Sequence, residues 1–123
     1  MASHPICYWE LASHDSEKTV AFLRELFGWR FAYDEATTIR ELPAGPGQGV
    51  AVAGGVFTLR KARLPFLTIY VRVEDIRAMA RRVEELGGLI VIPVTELAGG
   101  SHICLFNEPS GVTLAMVQPA GRT

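Results

Sequence analysis

One carboxylate stands where an apolar strand would put none. Glu10 lies within ICYWELA (residues 6–12), a run otherwise built of apolar and aromatic side chains, and a charge in such a run costs free energy unless it is paired. Arg72 or Arg40 offers a counter-charge, and Tyr8 or Tyr70 a hydrogen bond. Read for chemistry instead, Glu10 is a polar anchor or a general base with a raised pKa. His102 begins the apolar run SHICLF after a Gly-Gly pair. An imidazole at a cleft rim titrates near neutral pH, so Glu10 and His102 are the candidate catalytic residues; the structural alternative for His102 is a rim side chain bonded to water. His4 near the N-terminus and His14 at a strand–helix junction read as exposed. Cys7 and Cys104 form no metal or redox spacing. Each sits in an apolar run like a small buried hydrophobe, and both are expected to be reduced.

Elements of regular structure must position these groups, and punctuation in the chain marks them. Residues 6–12 read as a strand, and Asp15 as the N-cap of a helix through SEKTVAFLRELF. Phe22, Leu23, Leu26 and Phe27 make one apolar stripe on that helix, which Gly28 ends. WRFAY (29–33) restarts extended structure, and TTIREL is a second strand candidate. PAGPGQG (43–49) is a loop, and Val50–Leu59 a strand region containing Gly54 and Gly55. After a break at Lys61–Pro65 the same order returns. FLTIYVRV (66–73) is a strand, and Glu74 and Asp75 open an amphipathic helix with Ile76, Met79, Ala80, Val83 and Leu86 on one face. Gly87 and Gly88 end that helix. LIVIPV, SHICLF and VTLAMVQ follow as strands, with NEPSG as the turn between the last two.

A shift of 60 residues lays Asp15 on Asp75, Glu25 on Glu85, Leu26 on Leu86 and Gly28 on Gly88. Self-similarity at a fixed period signals a repeated structural unit. Two strand–helix–strands units make an α+β fold, here one domain over residues 1–123, with module one at about 5–60 and module two at about 66–119.

With 49% hydrophobic residues the chain is globular rather than disordered. Twelve basic and thirteen acidic residues leave a net charge of -1, which gives no pull toward nucleic acid or an anionic membrane. The basic residues Arg60, Lys61 and Arg63 beside Pro65 read as a solvated loop. The N-terminal stretch has no basic n-region and no long apolar core, and no segment has a membrane helix's apolar length, so a cytoplasmic location is expected.

Three stretches carry a resemblance. YWELASHDSEKTVAFLRELFGW, YVRVEDIRAMARRVEELGG and FNEPSGVTLAMVQ are similar to the opening, the second-module start and the closing hairpin of the vicinal oxygen chelate superfamily, with Glu108 in place of the hairpin's aspartate. That superfamily includes glyoxalase I, bleomycin resistance proteins and extradiol dioxygenases. The resemblance implies two βαβββ modules forming a cup with the helices outside, often in a homodimer. It also implies, for many enzymes, a metal held by His, Gln or Glu on cup-facing strands.

Strand alternation then assigns faces. Ile69, Val71 and Val73, with Cys7, Trp9 and Leu11, are expected to pack under the helices. Tyr8, Glu10, Thr68, Tyr70 and Arg72 are then expected to line the ligand cup, with His102 at its rim, Phe106 as an aromatic wall and Ala115 at a position where the resemblance implies a ligand, and Trp9 and Trp29 are expected to be core. The positions matching the family's metal ligands hold Tyr8, Thr68 and Ala115, which are poor donors or none for a divalent ion. The expectation is therefore a member without the usual metal centre and without a cofactor, binding a small, partly apolar organic molecule, either to sequester it or to act on it. A metal-dependent lyase, isomerase or dioxygenase using Glu10, Glu41 and His102 is the second reading. A non-catalytic dimeric module is the third.

Overall fold

The computed structural model describes residues 3–45, 52–59 and 65–121. The basic residues Arg60, Lys61 and Arg63, most of the 43–49 loop, and Val50 and Ala51 lie outside these. The described residues cluster into two compact units, one from Tyr8–Thr68 and one from Ile69–Thr123 with Met1–Cys7. The early residues join the later unit because the Arg72 amide donates to the Pro5 carbonyl at 2.9 Å.

The first βαβββ run comprises β1 (Ile6–Ser13), α1 (Ser16–Phe27), β2 (Ala32–Asp34), β3 (Ile39–Leu42) and β4 (Gly54–Thr58). The second comprises β5 (Phe66–Arg72), α2 (Ile76–Glu85), β6 (Leu89–Glu96), β7 (His102–Asn107) and β8 (Thr113–Gln118). The strand order is β2-β3-β4-β1 in the first and β6-β7-β8-β5 in the second. In each run the first strand pairs parallel with the last, β1 with β4 and β5 with β8. The repeat legible at a 60-residue shift is thus a repeat of topology in an α+β fold.

Both helices begin as their caps require. The Asp15 carboxylate accepts the Lys18 amide at 3.2 Å and that of Asp75 accepts the Ala78 amide at 3.1 Å, each satisfying a donor that the helix leaves open. Their ends differ. Gly28 takes the left-handed conformation at φ 73°, whereas in the second helix Gly87 does so at φ 92°. Gly88, the residue 60 positions after Gly28, has a different reason to lack a side chain: a Cβ there would lie 2.8 Å from the Asn107 carbonyl oxygen.

The apolar stripes also have different fates. In the second unit Val73, Ile76, Cys104 and Met116 form a buried cluster, against which Val71, Met79, Ala80 and Val83 pack. In the first helix Val20 is buried and Leu23 half-buried, while Phe22, Leu26 and Phe27 are 64%, 59% and 55% exposed. The expected stripe exists but is not buried; Phe27 stacks on Trp29 at 4.8 Å instead. Trp29 lies 6.2 Å from Trp9, and both are half-buried.

In the turn between β7 and β8, Glu108 does the work of the shorter aspartate. Its carboxylate accepts the amides of Ser110 and Val112, both at 3.0 Å, and the Ser110 hydroxyl. These donors, the hydroxyl first, pull its pKa down to about 2. Because the folded value lies below the unfolded one of about 4.3, the stabilisation is complete above the unfolded pKa and is lost as pH falls through the folded value of about 2. A carbon-detected NMR titration should find this carboxyl still ionised well below the ordinary glutamate value of about 4.3. Wild-type stability should fall more steeply than that of Glu108→Gln across the same window. Equal slopes would refute the assignment.

Cys104 is fully buried and Cys7 half-buried, both as free thiols. Burial raises both thiol pKa values, for Cys7 against a smaller lowering by Arg72.

Candidate functional site

In each unit the strands have one face toward the helix and one away from it, and side-chain contacts set the phase. In the first unit, Trp9 and Leu11 line an apolar hollow with Leu23 of α1, so these β1 side chains face the helix as expected. Tyr8, Glu10 and Ala12 therefore face away. Glu10 is paired with Gly55 of β4, and Gly55 with Glu41 of β3. The three make one row across the strands, with the two carboxylate-bearing residues separated by two strand spacings, about 10 Å.

Gly55 makes the row usable. A Cβ there would lie 2.2 Å from the Tyr8 hydroxyl oxygen and 2.6 Å from Ile39 Cγ2. The glycine thus admits the Tyr8 phenol, whose hydroxyl donates to Glu41 Oε2 at 3.1 Å. Phe57 and Phe66 add an edge-to-face aromatic pair with centroids 6.5 Å apart. Tyr8, Glu10 and Glu41 are half-buried, and Thr68 is buried with 3% exposure. Glu10 and Thr68 each have interactions within the protein. This face thus combines two carboxylates, a phenol and apolar rings, a set that can accept hydrogen bonds and take up a proton beside an apolar surface.

Arg40 is not a partner of Glu10 on this face. It pairs with Val56 in the strand register and donates to Ser16 Oγ at 2.9 Å and Glu17 Oε1 at 3.3 Å, so it belongs to the helix side.

In the second unit the register again sorts the candidates. Tyr70 pairs with Ala115, and Arg72 with Val117. Met116 belongs to the cluster under α2, so Ala115 and its partner Tyr70 face away from the helix. Ala115 is fully buried and Tyr70 is 8% exposed, while Arg72 is exposed. Val71 and Val73 pack toward α2, as expected.

His102 and Phe106 do not follow the expected assignment. β7 pairs with β8 without a bulge, Cys104 opposite Met116, Phe106 opposite Leu114 and His102 opposite Gln118. Cys104 faces the helix, so residues two away on either side do too. Phe106 packs on the helical cluster. Gln118, the partner of His102, accepts the Ile76 amide at the start of α2 at 2.9 Å. The imidazole Nε2 lies 3.9 Å from Glu96 Oε1, and Nδ1 is buried with no hydrogen-bond partner among the described residues. His4 and His14 are exposed.

The positions matching the family's metal ligands do not fit a divalent ion. Tyr8 and Thr68 offer only neutral hydroxyls, that of Tyr8 donating to Glu41, and Ala115 has no donor atom. Among the described residues no three His, Cys, Asp or Glu side chains are grouped to hold a metal. Sequence reasoning named Glu41 but missed Gly55; the signal available was a glycine pair inside a strand, which marks close approach by a neighbour.

No described helix is long and apolar enough to cross a membrane. The sequence model of the Glyoxalase/Bleomycin resistance protein/Dioxygenase superfamily matches residues 6–116. Among solved structures, methylmalonyl-CoA epimerase from Mycobacterium tuberculosis is 20% identical, with a TM-score of 0.64 over 98% of this chain and 93% of that one. A methylmalonyl-CoA epimerase in complex with methylmalonyl-CoA and NH4+ is 18% identical, with a TM-score of 0.66 over 98% and 97%. The hypothetical protein BH1468 from Bacillus halodurans C-125 is 13% identical, with a TM-score of 0.72 over 99% of each chain. A search of curated proteins finds no match.

Proposed function

Because the chain belongs to the Glyoxalase/Bleomycin resistance protein/Dioxygenase superfamily, we propose that it binds a small, partly apolar organic molecule without the family's usual metal centre. The ligand lies on the face turned away from α1. The observation that carries this reading is the Glu10–Gly55–Glu41 row with the Tyr8 phenol seated on the glycine. Glu10 and Glu41 accept hydrogen bonds from the ligand, Tyr8 holds Glu41 in place, and Phe57 and Phe66 supply apolar contact. Pockets for small molecules combine apolar walls with a few fixed polar groups in this way. Whether the bound molecule is also turned over depends on a carboxylate reaching an acidic proton, a role open to Glu10.

A ligand screen read by amide NMR shifts tests the proposal. Binders should perturb Tyr8, Glu10 and Gly55, and Glu10→Gln should weaken them by roughly ten-fold, the cost of losing a charge-assisted hydrogen bond. Binders that ignore Glu10→Gln and Tyr8→Phe would overturn the site. A stoichiometric transition metal in the purified protein would overturn the metal-free reading.

A further inference from the structure

On the opposite side of the same sheet, Ser16, Tyr33, Thr38, Arg40, Thr58 and Leu59 line a cleft of ≈ 500 Å³. Its hydroxyl network leaves one donor over. Ser16 is 4% exposed. Its amide donates to Thr58 Oγ1 at 3.1 Å, the two hydroxyls are 2.7 Å apart, and Ser16 Oγ accepts from Arg40 Nη1 at 2.9 Å. One hydroxyl proton serves the contact between Ser16 and Thr58. In that contact Thr58 Oγ1 donates to Ser16 Oγ, so the proton left without an acceptor among the described residues is that of the Ser16 hydroxyl.

Arg40 adds a charge to that surplus. Its side chain is 22% exposed, and its guanidinium lies 4.9 Å from the Tyr33 ring centroid, a cation–π contact that holds the plane in place. Ser16 and Glu17 engage two of its five N–H donors. The only carboxylate within salt-bridge distance among the described residues is that of Glu17, which is 81% exposed, and exposed pairs of this kind are weak and easily displaced. A half-buried planar cation with free donors beside an unclaimed hydroxyl proton matches an oxyanion, which accepts several such bonds at once. The Tyr33 ring and Leu59 leave apolar surface for the body of a molecule carrying that group.

We propose that this cleft binds the oxyanion head group, phosphate or carboxylate, of a small organic molecule. The proposal does not rest on the ligand assigned to the other face. Titrating the full chain with inorganic phosphate, and separately with acetate, while following amide shifts tests it. Saturable shifts at Ser16, Arg40 and Thr58 are expected with one anion or both, and which anion saturates identifies the head group. Arg40→Gln should weaken binding by roughly ten-fold or more. Glu17→Gln, an exposed change with little risk to folding, should tighten it several-fold by removing the competing carboxylate. Glu10→Gln on the opposite face should leave it unchanged. Shifts that chloride reproduces at matched ionic strength, or an affinity for both anions indifferent to Glu17→Gln, would overturn the site.

Discussion

Gly54→Ala is expected to destabilise the protein by about 3 kcal/mol, the upper range for overpacking a filled site. A Cβ at Gly54 would lie 1.9 Å from Trp9 Cε2 and 2.1 Å from Cδ2, inside the indole itself. Trp9 and Gly54 are direct partners in the parallel β1–β4 pair, so the ring crosses the neighbouring strand at a residue without a side chain. The indole cannot yield without cost. Its Nε1 donates to the Val52 carbonyl at 3.2 Å, and its ring lies against Trp29. Moving it breaks that bond and opens the hollow it shares with Leu11 and Leu23. Urea denaturation should show a lower midpoint, and Trp9→Leu in the Gly54→Ala background should recover part of the loss, since neighbouring substitutions couple. A midpoint equal to that of the wild type would mean that the strands separate to admit the methyl group without penalty.

The second large effect belongs to the other unit. Ile76→Ala should cost about 3 kcal/mol, typical of removing a buried aliphatic side chain from a site that cannot fully collapse. Ile76 is 1% exposed and lies among Val73, Cys104 and Met116, whose side chains come from three different stretches of the chain. Its amide still donates to Gln118 Oε1 in the variant, so the loss reports packing rather than helix initiation. Leu86→Ala is the control. Leu86 is 65% exposed, and its replacement should change stability by less than about 0.5 kcal/mol. Comparable losses in the two variants would contradict the core described above.

Much of this architecture is written locally. Asp15 and Asp75 start helices where a short carboxylate can reach an open amide, and those helices begin at Ser16 and Ile76. Gly28 ends the first because it tolerates a left-handed backbone. The helix phase of the second stripe is equally readable: Met79, Ala80 and Val83 face the core, and arginine and glutamate alternate with them.

Strand phase is harder to read. In HICLFN the residues on both faces are apolar, Ile103 and Leu105 on one and Cys104 and Phe106 on the other. Such a strand carries no alternation to count from. A rim position after Gly-Gly and an aromatic side chain suggest the cup for His102 and Phe106, but the pairing of Cys104 with Met116 turns them toward the helix. IREL poses the same problem. Arg40 and Glu41 are adjacent charges that must point to opposite faces, and nothing local says which. The register with Val56 and Gly55 sends Arg40 to the helix side and Glu41 to the row with Glu10.

The carboxylate in ICYWELA shows where the division falls. By itself, the sequence determined that Glu10 sits in a strand, that a capped helix follows, and that the whole arrangement recurs 60 residues later, because caps, breakers and periodicity act over a few residues. The tertiary structure decided what stands beside Glu10. A glycine from one strand, a second glutamate from another and the phenol of Tyr8 meet there through register. Register is set by packing across strands, between residues that no local pattern links.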